Sequence, residues 1–86
     1  MPELSRFYGI IIRMFVNDHP PAHFHSEYQG YEAVFDIHTL EILKGKIPKR
    51  ARLLVVEWAL EHRQELLDDW NKAQKQLPLH TIDPLE

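Results

Sequence analysis

The sequence predicts an α+β fold: a small antiparallel sheet of three or four strands, followed by one long C-terminal helix packed on one face. Three observations carry this. Phe7 to Val16 and the segments flanking Gly30 are rich in β-branched and aromatic residues that alternate with period two. A Gln29-Gly30 pair separates two of those segments, and from Pro48 onward apolar residues recur at helical spacing. Strands first and helix last leaves the helix to cover one face of the sheet. The 86 residues read as one domain, with strands over about 5–44, the helix over about 48–76 and an extended tail over 77–86.

Phe7 to Val16 reads as the first strand, with Tyr8, Ile10, Ile12, Met14 and Val16 on one face and Arg13 on the other. His23 to Tyr28 and Tyr31 to Ile37 read as a hairpin, because Gly30 supplies the positive φ of a two-residue loop. That loop sets a register. Tyr28 opposes Tyr31, Ser26 opposes Ala33 and Phe24 opposes Phe35 on a mostly apolar face. On the other face Glu27 opposes Glu32, His25 opposes Val34 and His23 opposes Asp36. The Glu27–Glu32 pair needs a cation between its members, such as Arg13 or a metal. Glu41 to Lys44 is a candidate fourth strand.

Pro48 suits the first position of a helix, and Pro78 and Pro84 keep the tail from continuing it. At about 100° per residue, Leu53, Val55, Val56, Ala59, Leu60, Leu66, Leu67, Trp70 and Ala73 fill one arc of roughly 160°. Arg63 lies near the middle of that arc, so its guanidinium must snorkel, pair with a carboxylate such as Asp36 or Glu32, or point into a cleft. It is expected to face the sheet's edge or a cleft, with His62 just beyond the arc. Leu54 and Trp58 fall outside the arc one turn apart, an apolar patch for a partner protein or a second subunit. As ligand platforms Trp58 and Trp70 are less expected than as packing residues.

Composition narrows the chemistry. The chain has no cysteine, which excludes a disulfide framework and thiolate zinc sites, so any metal falls to His, Asp and Glu. No apolar run approaches the roughly 20 residues that span a bilayer, and Met1-Pro2-Glu3-Leu4 has no signal-peptide character. A cytoplasmic protein without membrane contact is expected. The net charge of −3 disfavours nucleic acid overall, yet Lys44, Lys46, Lys49, Arg50 and Arg52 crowd into one stretch. Lys49, Arg50 and Arg52 fall in the first helical turns, where the macrodipole disfavours cations, and are candidate anion or phosphate contacts. A solvated basic surface is the alternative.

Six histidines mark the chain, three of them within Asp18-His19-Pro20-Pro21-Ala22-His23-Phe24-His25. Histidine exchanges a proton near neutral pH and is the commonest metal ligand. The prolines present His19 on a stiff spacer ahead of the strand bearing His23 and His25. Those two imidazoles share a strand face with Cα atoms roughly 6–7 Å apart, compatible with one metal, with proton transfer or phosphate contact, or with a structural role. Asp36, opposite His23, stands in the relation of an orienter to a base. Asp18-His19 is either a dyad or, more simply, a turn in which Asp18 caps its own backbone. The catalytic candidates are therefore His23, His25, His62, Arg63 and Asp36, and Asp18 and His19 are binding candidates. No cofactor and no tightly bound metal are expected; were a metal bound, His19, His23 and His25 would be its ligands.

Ser5-Arg6-Phe7-Tyr8-Gly9-Ile10, the Asp18 to His25 run, Tyr31-Glu32-Ala33, Trp58 and His62-Arg63 together resemble a widespread family of small bacterial proteins of unknown function. The resemblance covers nearly the whole chain, although the tail after Gln76 lies outside it. It implies a gene placed beside another small protein and a toxin role in a toxin–antitoxin pair, without implying a catalytic mechanism. It marks Asp18, His19, His23, His25, His62 and Arg63 as site candidates. Three function classes follow. One is a toxin acting on RNA or translation, with a small antitoxin-like partner and His23, His25, His62 and Arg63 moving protons and stabilising phosphate. Another is a small metal-binding or metal-dependent hydrolytic domain. The last is an interaction module without chemistry, docking a partner or a second copy through Leu54 and Trp58. The resemblance favours the first, and whether the protein is an enzyme stays open.

Overall fold

The computed structural model describes residues 2–86. Strand β1 (Glu3–Phe7) turns into β2 (Ile10–Arg13), a loop leads to β3 (His23–Tyr28), and β3 turns into β4 (Tyr31–Asp36). Strand β5 (Ile42–Gly45) then precedes helix α1 (Lys49–Gln74). The strands form one antiparallel sheet in the order β1-β2-β3-β4-β5, so among the described residues the sheet has five strands rather than three or four. The extra strand is β1, which lies ahead of the segment read as a single strand over Phe7 to Val16 and turns into that segment at Tyr8-Gly9. Tyr8 and Gly9 both take positive φ, 49° and 81°, as a two-residue hairpin loop requires. Tyr8 is accordingly exposed at the turn, whereas Phe7 is buried, and Val16 lies exposed beyond the end of β2.

The β3–β4 register is the one the Gln29-Gly30 loop predicts, from Tyr28 opposite Tyr31 to His23 opposite Asp36. Its consequence is a two-faced sheet. Phe7, Ile10, Ile12, Phe24, Ala33 and Phe35 are buried on the helix side, and Ser26 joins them with its hydroxyl donating to the Ala33 carbonyl at 3.0 Å. Ile11, Arg13, His25, Glu27, Glu32, Val34 and Lys44 alternate onto the opposite face. Gly45 closes the far edge with φ +80°, and a Cβ there would lie 2.3 Å from the Glu32 carbonyl oxygen. Gly45→Ala is therefore expected to lower stability by at least the ~1–3 kcal/mol of a strained left-handed residue. Urea unfolding followed by circular dichroism reads this as a lower midpoint at unchanged slope.

Helix α1 begins after Pro48, which occupies the N-cap position rather than the first helical one, and ends at Gln74. Its buried face is Ala51, Val55, Trp58, Ala59, Leu66, Asp69, Trp70 and Ala73. This face is rotated from the arc drawn through the leucines: Leu53 and Leu60 are 52% and 58% exposed, while Trp58 is fully buried. The physical reason is shape. Alanines at 51, 59 and 73 let the helix backbone approach the sheet, and Trp58 fills the gap against Phe7 and Phe24, with ring centroids 5.3 and 5.9 Å away. Trp58 is thus a core residue and not part of a docking patch, and Leu54 is half-buried against the same core. On the rotated face Arg63 falls at the boundary instead of the centre.

The tail is docked. Ile82 is buried and its amide donates to the Leu4 carbonyl at 2.7 Å, the Trp58 indole donates to the Asp83 carbonyl at 2.8 Å, and the His80 amide donates to Asp69 Oδ1 at 3.0 Å. Asp69 is fully buried and its Oδ2 has no partner. Burial pushes the Asp69 carboxyl above its ordinary range, and the His80 amide and the His80 and Lys72 charges offset this only in part. A carboxyl raised on folding costs stability as pH rises from its unfolded value through its folded one, because the folded state holds the proton longer. Asp69→Asn keeps the acceptor for His80 and mimics the protonated acid. The variant is expected to match the wild type at acidic pH and to become progressively more stable than it as pH rises, measured by paired denaturation curves. Among the described residues no helix is long and apolar enough to cross a membrane.

Candidate functional site

The loop between β2 and β3 folds back over the start of β3. The last turn of α1 holds it there: the Asn17 amide donates to the Ala73 carbonyl and Gln74 Nε2 donates to the Asp18 carbonyl, at 3.3 and 3.0 Å. This brings Asp18 against the two strand histidines. Its Oδ2 lies 2.7 Å from His23 Nε2 and 3.4 Å from His25 Nε2, while its Oδ1 accepts the His19 amide at 3.0 Å. Asp18 therefore does two jobs: it caps its own backbone with one oxygen and faces the imidazoles with the other.

The imidazoles are fixed from behind. His23 Nδ1 lies 2.7 Å from the Pro21 carbonyl, and the ring packs between His25 and Trp70, with centroids 5.3 and 5.1 Å away. His25 rests on Phe15 at 4.1 Å. The side chains are 10%, 24% and 26% exposed for His23, His25 and Asp18, so the cluster is half-buried and still reachable. A carbonyl and an ionised carboxylate are both acceptors. His23 satisfies both at once only when its two ring nitrogens carry protons, or when a cation replaces the proton at Nε2. Burial raises the Asp18 carboxyl, but the hydrogen bonds from His23, the His19 amide and His25, with the His23 charge, outweigh it and hold the group below its ordinary range.

His25 also borders a cleft of about 280 Å³ on the open face of the sheet, where Phe15, Glu27, Glu32 and Lys44 line the walls. Arg13 Nε donates to Glu27 Oε2 at 2.8 Å, which supplies the cation that the opposed glutamates require. This cleft and the Asp18–His23–His25 cluster share one side chain and so form one region.

The other candidates stand elsewhere. Asp36 is the cross-strand partner of His23, yet its Oδ1 accepts the His38 and Thr39 amides at 2.7 and 2.9 Å, and His23 turns to Asp18 instead. His19 is exposed and reaches the site only through its backbone. His62, at a kink in α1 where its φ is −120°, lies 2.6 Å from Glu65 through Nδ1 and packs on Trp58. Arg63 is half-buried rather than in bulk water, and its Nε donates to the Ile37 carbonyl, just past the end of the interior strand β4, at 3.1 Å rather than to a carboxylate. Lys49, Arg50 and Arg52 are exposed at the start of α1, about 30 Å along the helix from the Trp70 that touches His23. The sequence offers Asp18 as a dyad with His19 or as a cap of its own backbone; its pairing with His23 arises from a loop folding back, which strand alternation does not encode.

A half-buried carboxylate thus faces two imidazoles on an antiparallel sheet backed by one helix, in a small α+β protein. The chain belongs to a family described as a domain of unknown function, DUF4160, which matches residues 9–71. That span includes Asp18, His23, His25 and Arg63 and leaves out β1 and the tail. No curated protein and no solved structure matches the chain.

Proposed function

We propose that this protein is the toxin component of a bacterial toxin–antitoxin pair, acting on RNA through the region of Asp18, His23 and His25. The observation that carries the chemical part is the convergence of Asp18 Oδ2, His23 Nε2 and His25 Nε2 beside an open cleft. Two imidazoles against one carboxylate can take a proton from an attacking hydroxyl and return one to a leaving oxygen, which is the need of phosphodiester transfer. Lys44 on the cleft wall supplies a cation for phosphate, and Lys49, Arg50 and Arg52 are far enough away to contact only the extended backbone of the same strand. The toxin assignment itself rests on the sequence resemblance. In this reading a small cognate protein restrains the activity.

The test is induction of the full chain in a bacterial strain lacking the adjacent small gene. Growth arrest, relieved by co-expression of that gene, is the expected result. Normal growth with soluble wild-type protein overturns the reading. The docking-module alternative loses its motivating patch because Trp58 is in the core.

A further inference from the structure

We infer that Asp18, His23 and His25 form a binding site for one divalent first-row transition-metal ion. The inference concerns the site just described and rests on that reading only for the chemistry: an ion held by His23 Nε2 and His25 Nε2 would activate a bound water in place of proton transfer by those nitrogens, whereas binding itself stands on the geometry. One ligand atom from each residue lies within 4.8 Å of the other two. In a tetrahedral site with bonds of about 2.0–2.1 Å, neighbouring ligand atoms are roughly 3.4 Å apart. Asp18 Oδ2 and His25 Nε2 already stand at 3.4 Å, and the 2.7 Å contact to His23 needs to open by only a fraction of an ångström.

The surroundings are those of a ligand set rather than of an isolated ion pair. A metal-bound histidine donates its other ring N–H to a carbonyl or carboxylate, which fixes the tautomer and aims the lone pair. Pro21 does this for His23, and the His19 amide does the equivalent for Asp18 by occupying Oδ1 while Oδ2 faces the two imidazoles. Once Nδ1 holds the proton, Nε2 and Oδ2 are two acceptors 2.7 Å apart, an arrangement that calls for a positive particle between them. A divalent ion meets the needs of three acceptors together. Two imidazoles and one carboxylate, without thiolate, suit zinc, cobalt, manganese or iron and leave positions for water or substrate. The third ligand is Asp18, in place of the His19 that the sequence suggested.

Cobalt(II) and zinc are the probes. Titrating metal-free, untagged full-length protein with cobalt(II) is expected to give visible ligand-field bands that saturate at one ion per chain and are displaced by zinc. A hundredfold zinc excess over Kd is expected to raise Tm by about 10 °C or more. Asp18→Asn and His25→Ala should each weaken zinc binding by more than the roughly 10–100-fold of an outer-shell change, while His38→Ala, which removes an exposed ring outside the cluster, leaves it unchanged. Absence of saturable binding by the wild type, or equal loss in His38→Ala, overturns the inference. Growth arrest is read separately: arrest without metal binding removes the metal and keeps the toxin, and metal binding without arrest does the reverse.

Discussion

Trp58→Ala is expected to destabilise the protein by about 3–5 kcal/mol, the cost of emptying a fully buried aromatic site. Trp58 has no exposed surface and contacts Phe7 from β1, Phe24 from β3 and His62 from the next turn of its own helix. Its indole N–H also anchors the tail at Asp83. Losing it removes packing from the centre of the sheet–helix interface and frees a segment whose remaining hydrogen bonds to the rest of the fold include Ile82 to Leu4, His80 to Asp69 and Lys72 to the His80 ring. Because domains of this size are stable by only about 5–15 kcal/mol, the variant should lose a large share of its stability. Trp58→Phe retains most of the apolar volume and loses mainly the hydrogen bond, so it should cost distinctly less. Equilibrium urea unfolding of the two variants separates packing from tail anchoring. A near-neutral Trp58→Ala would mean that this face is not the core.

How much of this was legible in the sequence depended on how local the signal was. The β3–β4 register followed from one two-residue loop with Gly30, and every pair from Tyr28–Tyr31 to His23–Asp36 is in place. Gly9 carried the same signal, but the apolar run on both sides of it reads equally well as one long strand, and the β1–β2 hairpin was lost there. On α1 the leucines outnumber the aromatics. Counting apolar residues therefore pulled the arc toward Leu53 and Leu60, whereas side-chain size places the helix with alanines and Trp58 inward. His23 and His25 were marked by type and spacing. Their partner was hidden, because cross-strand geometry names Asp36 and only tertiary folding of the β2–β3 loop substitutes Asp18. Arg63 is kept from bulk water at the end of the interior strand β4, with a carbonyl rather than a carboxylate as its acceptor.

Those placements separate two kinds of variant in a growth assay. On the proposed toxin reading, Asp18→Asn and His25→Ala are expected to relieve growth arrest while the protein stays folded. Asparagine keeps the Oδ1 acceptor for the His19 amide and removes the charge facing His23, and His25 is partly exposed, so neither change empties the core. Removing a group that moves protons costs roughly 10²–10⁴ in rate, far more than these sites contribute to folding. Arg63→Ala should behave differently. Its guanidinium ties the middle of α1 to the end of β4 through Ile37, a charged-group hydrogen bond worth about 1.5–3 kcal/mol. Its loss should lower Tm in purified protein, and any relief of arrest should disappear when growth is assayed at a temperature where the variant remains folded. Growth curves paired with thermal melts of each variant make the comparison. If Arg63→Ala relieved arrest with an unchanged melt, the guanidinium would belong to the reacting site after all. If Asp18→Asn arrested growth as strongly as the wild type, the cluster would not be that site.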